Sequence, residues 1–365
     1  MKGRLGMAVA AYHAAMPSPS TSPPSIDVSF PAAAARLEGV VRRTPLTPAA
    51  DLGLTPELLE RRGLADAASR LAGLDLRLKL ECLQETGSFK ARGAWNQVSQ
   101  LTEAQRSAGV VTTSSGNHGR ALSWAAARAG VPATICMPAD AYPNKIEACR
   151  ELGAEVRLGA TRPETDALCL ELAAAGKTLV HPYDAARTVE GAGTVGLEIA
   201  EERPGVEVVV APVGGGGLIG GTSLALRDRL ADGVRIHGVE PAGAATLGRA
   251  LSAGAPVDLP EITTEVQGLC PLNVGALNLA LARANVAAVH GLDDAPIFRA
   301  QALFVNDLEL VVEPAGAATL AGVLLAGVLD PLLEGRDEPL DVVVVVSGGN
   351  PAPEQLAAVR AGGSR

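Results

Sequence analysis

Short apolar runs alternate with amphipathic segments over much of the chain from residue 109 onward. The runs are rich in β-branched residues and predict strands at 109–113, 132–138, 154–159 and 178–183. The segments between them carry apolar residues at helical spacing and end at glycine, which predicts helices at 120–130, 143–153 and 163–176. Strands that alternate with helices in this way form βαβ units around a parallel sheet.

A second series continues the alternation toward the end of the chain. It predicts helices at 193–202 and 218–230, strands at 206–214 and 235–241, and an apolar strand with a glycine turn at 340–350. Upstream, the pattern predicts a helix at 32–41, a half-buried strand at 74–81 and a helix at 88–100. We therefore predict a two-lobed α/β protein, in which parallel sheets carry helices on both faces. A small domain at 109–186 is inserted into a large domain made of 27–108 and 187–365.

Two segments fall outside this alternation. Residues 1–26 include the run PSPSTSPPS and predict a disordered tail, because such a composition cannot build a packed core. Residues 315–333 are the most apolar stretch, yet they contain three glycines, Asp330 and Pro331. We interpret this stretch as a buried helix and predict no membrane span.

Composition narrows the range of functions. The chain has 31 basic and 40 acidic residues, a formal net charge of −9, and only 2% aromatic residues. A nucleic-acid partner would require a basic surface and stacking rings, so we predict none. The five cysteines are scattered and form no C-x-x-C pair, which argues against a disulfide framework and a zinc site. Reduced thiols in the cytoplasm are the simpler interpretation.

Candidate chemistry lies in four motifs, three of them glycine-rich turns at the carboxyl ends of predicted strands, where open parallel sheets bind ligands. In ETGSFKARG (85–93), Lys90 follows a Thr-Gly-Ser turn and stands beside Phe89. A lysine amine attacks aldehydes when burial or a cationic neighbour lowers its pKa. An isolated lysine on a helix is most often solvated, so this motif alone does not establish a site.

The second motif, TTSSGNHGRAL (112–122), places four polar residues between a strand and a helix. Serine and asparagine are ordinary helix caps, but a cap needs fewer polar groups than this. Together with the free backbone N–H groups at a helix start, these side chains predict an anion site. The four residues are Ser114, Ser115, Asn117 and His118.

The third motif, VGGGGLIGG (213–221), follows an apolar strand and predicts a phosphate cup formed by glycine backbone at a helix start. It lacks the Lys-Ser/Thr pair of a P-loop, and Ile219 breaks the G-x-G-x-x-G fingerprint of dinucleotide sites. A phosphorylated small cofactor is therefore expected. The fourth motif, VVVVVSGGN (342–350), puts Ser347 at a strand end, where it either binds a ring nitrogen or starts a turn.

In this order, the stretches TGSFKARG, SSGNHG, GGGGL and SGGN resemble the serine/threonine dehydratase family of pyridoxal-phosphate enzymes, which has fold type II and includes serine racemase. Each stretch alone is a weak signal, whereas the set is specific. Similarity at RTPL (43–46) and EGAGTVGLEI (190–199) extends the resemblance over nearly the whole chain apart from the tail. The resemblance implies pyridoxal 5′-phosphate as cofactor and an amino acid as substrate.

The resemblance also implies a role for each matching residue. Lys90 would hold the cofactor aldehyde covalently and remove the α-proton of the substrate, with Phe89 packed against the ring. Ser347 would meet the pyridine nitrogen and Asn117 the phenolic oxygen. The phosphate would lie on the backbone N–H groups of Gly214, Gly215, Gly216, Gly217 and Leu218. The substrate carboxylate would lie in the loop formed by Ser114, Ser115, Asn117 and His118.

The implied reaction is elimination of the β-hydroxyl group of threonine or serine, which yields a 2-keto acid and ammonia. Serine at the pyridine nitrogen makes the ring a weaker electron sink than a carboxylate would, which suits prompt loss of a β-substituent. Racemisation stays open, because Ser115 lies where racemases place a second proton donor, and so does a lyase for hydroxyaspartate or diaminopropionate. His118 disfavours β-replacement, and the intact motifs disfavour a non-catalytic ligand-binding relative.

Three further features bear on metal, substrate and assembly. Glu240 matches one acid of the family's cation site, but Thr246 stands where a second acid is expected, so we predict no metal. The segment EVQGLCPLNVG (265–275) differs from the sequence usual in dehydratases and leaves the substrate open. The resemblance favours a homodimer or homotetramer. Only 15 residues follow Asn350, so we expect no regulatory domain there.

Overall fold

Two sheets organise the part of the chain that the computed structural model describes, residues 26–362. The tail predicted at 1–26 lies outside this range except for Ile26. The strands, in chain order, are β1 Leu46–Pro48, β2 Leu74–Lys79, β3 Val110–Thr113, β4 Ala133–Pro138, β5 Glu155–Gly159, β6 Thr178–Leu179, β7 Val208–Pro212, β8 Arg235–Pro241, β9 Ala288–Leu292 and β10 Leu340–Val345.

Helices pack around these sheets. In chain order they are α1 Phe30–Leu37, α2 Pro56–Arg61, α3 Ala65–Ala72, α4 Lys90–Val98, α5 Glu103–Ala108, α6 Asn117–Ala129, α7 Pro143–Glu151, α8 Arg162–Ala174, α9 Ala186–Glu202, α10 Gly217–Leu230, α11 Thr246–Ala253, α12 Ala276–Asn285, α13 Asp294–Asn306, α14 Pro314–Leu320, α15 Asp330–Leu333 and α16 Pro353–Arg360. Within residues 26–362, no helix combines the length and the apolar character that a membrane crossing requires. All five cysteines are free, and four of them are buried.

The order of the strands explains how the two sheets share one chain. The larger sheet has the order β1-β2-β10-β7-β8-β9, and the smaller sheet has the order β5-β4-β3-β6. Every pairing is parallel except that of β1 with β2. All strands of the smaller sheet come between β2 and β7 in the chain. The predicted α/β class is confirmed, while the domain boundaries at 109 and 186 stay a prediction.

Valine runs form the middle of the larger sheet. β7 and β10 pair in register with Val342 opposite Val208, and both side chains pack into the core on one face of the sheet. Val209 and Val343 pack into a second core on the opposite face. Successive side chains of a strand point to opposite faces, so an unbroken apolar run fits a strand covered on both sides.

One predicted strand is wrong over most of its length, and the error matters for the site. The strand predicted at 178–183 ends at Leu179, because the chain turns there. Pro182 has no N–H group for a ladder, and His181 Nδ1 accepts a hydrogen bond of 2.8 Å from the Asp184 N–H group. This turn, residues 181–184, brings its backbone to the end of the larger sheet.

Two predicted helices begin earlier than their patterns indicate. α6 begins at Asn117 rather than at 120, since Ser114 Oγ accepts hydrogen bonds from the N–H groups of Gly116 at 3.3 Å and Gly119 at 3.1 Å. α9 begins at Ala186 rather than at 193. The early start of α6 places two predicted site residues in its first turn.

The buried helix predicted at 315–333 is only partly correct. The stretch is buried over most of its length, but α14 ends at Leu320 and a π-helical turn covers Ala321–Leu325. Gly327 then adopts a φ of +64°, a left-handed conformation that ends the helix, and the short α15 follows.

Candidate active site

A cavity of about 400 Å³ opens at the carboxyl ends of β3, β4, β7 and β10. Its lining includes every residue that the sequence analysis assigned to cofactor or substrate. These are Phe89, Lys90, Ser114, Ser115, Asn117, His118, Gly214, Gly215, Gly216, Gly217, Leu218 and Ser347. The structure therefore brings the four motifs together at the ends of parallel strands, where such sheets bind ligands.

Lys90 is the first residue of α4 and has few polar partners. Its Nζ donates a hydrogen bond of 2.7 Å to the carbonyl oxygen of Pro182 and lies 5.0 Å from the centre of the Phe89 ring. Burial lowers the pKa of Lys90 to about 8, although the nearby Glu313 opposes the shift. An amine with this pKa is neutral in about a tenth of molecules at pH 7, far more than an ordinary lysine, and the neutral form is the one that attacks an aldehyde.

Backbone contacts set the distance between Lys90 and Ser347. The Phe89 N–H group donates a hydrogen bond of 3.1 Å to the Ser347 carbonyl, and Ser88 bridges to Gly348. Ser347 is buried, and among the described residues its hydroxyl makes only a long contact, 3.4 Å, to the Ala315 carbonyl. The Lys90 amine and the Ser347 hydroxyl are thus carried by segments of backbone that are hydrogen-bonded to each other.

The polar side chains before α6 have different roles: some form hydrogen bonds within the loop, and others line the cavity. Ser114 Oγ caps the helix, as described above, while Ser115 is half-buried at the cavity wall. His118 is buried, and its Nε2 lies 3.1 Å from the Val180 carbonyl. Burial and the Lys90 charge lower the pKa of His118 to about 3, so its ring is neutral and offers no charge to a carboxylate.

Asn117 belongs to a network that the sequence analysis missed. Its Nδ2 donates a hydrogen bond of 2.5 Å to Glu313 Oε1, and its Oδ1 accepts one of 2.8 Å from Asn350 Nδ2. Glu313 is buried, and burial raises the pKa of its carboxyl group against the influence of Lys145. The only sequence signal for Glu313 is its place before the proline that starts α14, and that is also an ordinary cap position.

The glycine loop of residues 214–217 leads into α10 and lies against the turn at 181–184. A Cβ atom built on Gly215 would come within 2.3 Å of the Tyr183 ring, and one built on Gly217 within 2.8 Å of the Tyr183 carbonyl. Gly216 has a φ of +86°. Only glycine meets both conditions, since it needs neither the space of a side chain nor a negative φ.

These groups fit pyridoxal phosphate at three points. The cofactor's aldehyde requires an unprotonated amine, which Lys90 can supply. Its phosphate requires N–H donors at a helix start, which Gly214–Leu218 can provide around the first turn of the 14-residue α10. Its pyridine nitrogen requires one polar partner in an otherwise apolar wall, which Ser347 can supply.

Glu240 lies outside the cavity lining and has a local structural role. Its two carboxylate oxygens accept hydrogen bonds from the N–H groups of Leu247 at 3.0 Å and Gly248 at 2.9 Å, in the first turn of α11. Burial raises the pKa of Glu240 to about 7. In the stretch 26–362, no three His, Cys, Asp or Glu residues are grouped as a metal site requires. That the enzyme needs no metal stays a prediction.

Comparison with known proteins places the chain in a family. The family profile described as "Pyridoxal-phosphate dependent enzyme" matches residues 41–348. An L-threonine ammonia-lyase from Thermotoga maritima is 37% identical over 284 residues, 77% of this chain and 69% of that protein. A phenylserine dehydratase from Ralstonia pickettii is 34% identical over 303 residues, 83% of this chain and 87% of that protein.

A solved structure of maize serine racemase has the same fold, with a TM-score of 0.80 and 32% sequence identity over 92% of this chain and 96% of that one. The profile match and the relatives agree with the cavity on the cofactor, pyridoxal 5′-phosphate. The chain belongs to the family of pyridoxal-phosphate dependent enzymes.

Proposed function

We propose that this enzyme is an ammonia-lyase that eliminates the β-hydroxyl group of threonine or serine and releases a 2-keto acid and ammonia. The observation that carries the proposal is the pairing of an amine of lowered pKa, Lys90, with a neutral hydroxyl, Ser347, in one cavity. The likeness to an L-threonine ammonia-lyase supports the same reaction.

Pyridoxal phosphate, when bound, withdraws electrons from the substrate's α-carbon and so makes its proton removable. The Nζ of Lys90 takes that proton as a general base, which its lowered pKa permits near neutral pH. The β-hydroxyl then leaves as water with the proton that Lys90 took from the α-carbon, so Lys90 is neutral again. A water molecule is consumed when the enamine product hydrolyses, so the net products of threonine are 2-oxobutanoate and ammonia.

The loop before α6 is proposed to hold the substrate carboxylate. Backbone N–H groups in the first turn of this 13-residue helix attract an anion, and the half-buried Ser115 hydroxyl lies at the same wall. The neutral His118 contributes shape rather than charge. Asn117 is proposed to meet the phenolic oxygen of the cofactor, because its amide already faces the cavity beside Glu313.

The substrate's side chain would extend toward residues 267–273, which also line the cavity. Three of these residues, Leu269, Pro271 and Leu272, are apolar, so a β-substituent larger than the methyl group of threonine also deserves testing. The phenylserine dehydratase relative points the same way.

Racemisation of an amino acid is the second candidate function. It would use Lys90 and Ser115 as proton carriers, and both line the cavity. The likeness to maize serine racemase favours it. The two functions differ in product, because only elimination releases keto acid and ammonia.

A panel of amino acids tests both functions. Threonine, serine, 3-phenylserine, 3-hydroxyaspartate and 2,3-diaminopropionate are incubated with holoenzyme without thiol, and ammonia, keto acid and the enantiomer ratio are measured. Keto acid from threonine or serine is the expected result. Absence of keto acid from every hydroxy amino acid would contradict the lyase assignment, and a changed enantiomer ratio without keto acid would establish the racemase instead. Ser115→Ala should abolish racemisation but spare most elimination.

We further propose a cytoplasmic homodimer or homotetramer. The free thiols of all five cysteines suit a reducing compartment. Light scattering of the purified holoenzyme checks the assembly, and a monomer at micromolar concentration would contradict it.

A further inference from the structure

Two side chains outside the cavity donate hydrogen bonds to carbonyl oxygens of the glycine loop, residues 214–217. The Thr246 hydroxyl donates a hydrogen bond of 3.1 Å to the Gly214 carbonyl. The Asn278 amide donates one of 2.8 Å to the Gly215 carbonyl. Neither Thr246 nor Asn278 lines the cavity, and the motifs in the sequence indicate no role for either.

These two contacts determine where the loop's N–H groups point. The loop contains no cis peptide, and in a trans peptide the C=O of one residue and the N–H of the next point in opposite directions. When Thr246 holds the Gly214 carbonyl outward, the Gly215 N–H group is turned the other way, toward the cavity. Asn278 does the same for the Gly216 N–H group through the Gly215 carbonyl.

Both side chains are themselves fixed from outside the loop. Thr246 and Asn278 are fully buried, each in the first turn of its own helix, α11 and α12. The Glu240 carboxylate binds the N–H groups that follow Thr246, as described above. The backbone N–H of Asn278 donates to Asp184 Oδ1 at 3.2 Å, and its amide also donates to the Tyr183 carbonyl at 3.0 Å. The orientation of the loop is thus set by rigid neighbours.

We propose that Thr246 and Asn278 are positioning residues that orient the glycine N–H groups for the cofactor phosphate before it binds. In a loop of successive glycines, the peptide planes are otherwise free to rotate, because glycine has the widest conformational freedom. Thr246 would therefore have a specific task at the position where the sequence analysis expected an acid of a cation site. The proposal rests on the assignment of Gly214–Leu218 as the phosphate cup.

The test uses two ligands that differ only in the phosphate. Apoenzyme is titrated with pyridoxal phosphate and with pyridoxal, and each dissociation constant is read from the absorbance of the bound ligand. Thr246→Val removes the hydroxyl at nearly constant volume, and Thr246→Ser retains it. Thr222→Val in α10 is the matched control, since Thr222 is equally buried and its hydroxyl has no partner within the described residues.

Thr246→Val should weaken pyridoxal phosphate about tenfold and pyridoxal less than about twofold, as expected for loss of one well-placed hydrogen bond. Thr246→Ser and Thr222→Val should behave as wild type. Asn278→Leu should show the same selective loss, and it provides a second variant in case Thr246→Val does not fold. The ³¹P resonance of bound cofactor should also shift in Thr246→Val.

Two outcomes would overturn the proposal, and a third concerns its premise. Unchanged affinity for pyridoxal phosphate in both variants would show that the hydrogen bonds from Thr246 and Asn278 are not needed to orient the loop. Equal losses for the two ligands would show a general packing defect. If wild-type enzyme itself binds pyridoxal as tightly as pyridoxal phosphate, the phosphate cup assignment fails, which is distinct from failure of the lyase reaction and overturns the proposal with it.

Discussion

Two cations lie two residues apart on α4, the fully buried Arg92 and the half-buried Lys90, and their surroundings differ completely. The Arg92 guanidinium donates to both oxygens of Glu81, at 2.8 and 2.7 Å, and to both oxygens of Glu198, at 2.6 and 2.9 Å. Thr194 accepts a further hydrogen bond at 3.0 Å. Within residues 26–362, the Lys90 amine has one hydrogen-bond acceptor, the neutral Pro182 carbonyl.

The pKa values of Arg92 and Lys90 are determined by their neighbouring anions rather than by burial alone. Burial disfavours both charges, yet Glu81 and Glu198 hold the pKa of Arg92 above its ordinary value. Burial without a close anionic partner lowers the pKa of Lys90 to about 8. A buried cation with complete hydrogen bonding contributes to structure, whereas one left under-partnered in a cavity is available for chemistry. One helix therefore carries both a structural anchor, Arg92, and the amine that we propose to be the reactive group, Lys90.

Removing the reactive group should have the largest effect on turnover. Lys90→Ala should lower kcat by at least about 10³-fold, because it removes the general base, and should abolish covalent capture of the cofactor. The fold should survive, since no buried anion loses its direct partner. Steady-state kinetics and circular dichroism measure the two properties. Turnover within tenfold of wild type would contradict the assignment.

Removing the anchor, Arg92, should have the opposite result, because its main effect should be on the stability of the protein. Arg92→Met should lower the free energy of unfolding of the apoenzyme by about 3–5 kcal/mol, because the buried Glu81 carboxylate loses its cationic partner and Glu198 keeps only Lys79. Urea titration measures the change. Lys90→Met is the matched control on the same helix and should be close to neutral. Equal destabilisation by Arg92→Met and Lys90→Met would show that Arg92 contributes no more to stability than Lys90 does.

The pH dependence of cofactor capture tests whether the groups around Lys90 determine its pKa. Only the neutral amine reacts, so the capture rate of apoenzyme should rise with pH and level off above about 8. The Glu313 carboxylate raises the pKa of Lys90, so Glu313→Gln should move this rise to lower pH. Glu103→Gln on the surface is the control and should leave the profile in place. A shift to higher pH would contradict the account.

The smallest effect is expected from removal of the Ser347 hydroxyl, which lines the same cavity as Lys90. Ser347→Ala should lower kcat by about three- to tenfold, the value of one hydrogen bond, and leave stability nearly unchanged. The absorbance maximum of bound cofactor provides a second measurement, because the partner of the ring nitrogen changes. A loss as large as that of Lys90→Ala would give Ser347 a different role.

Local pattern was sufficient for much of the fold. The strand predicted at 235–241 is found with those bounds, since apolar residues with β-branched neighbours between clear turn signals leave little choice. Every residue that the motifs assigned to cofactor or substrate lines the cavity, because short glycine turns after strands are local features. Thr113, Gly116 and Asn350 lie in the same motifs and also line the cavity, but no role was predicted for them. Between 242 and 339 the sequence analysis assigned no strand, although β9 lies there, and its half-buried residues give no clear alternation.

The rest of the site depends on contacts that no local pattern encodes. Pro182 accepts the Lys90 hydrogen bond only because the chain turns after Leu179, and the apolar run there predicted a longer strand. Glu313, Thr246 and Asn278 are distant in sequence from the loops they hold or contact. Their roles follow from tertiary packing, so only the structure could reveal them.

The covalent link between Lys90 and the cofactor can be tested most directly by trapping it. Holoenzyme is reduced with borohydride, digested, and analysed by mass spectrometry of the lysine-containing peptides. We expect a pyridoxyl-phosphate adduct on Lys90 in nearly every molecule and no adduct in Lys90→Ala. An adduct on Lys79 or Lys145, or no adduct on any lysine, would contradict it.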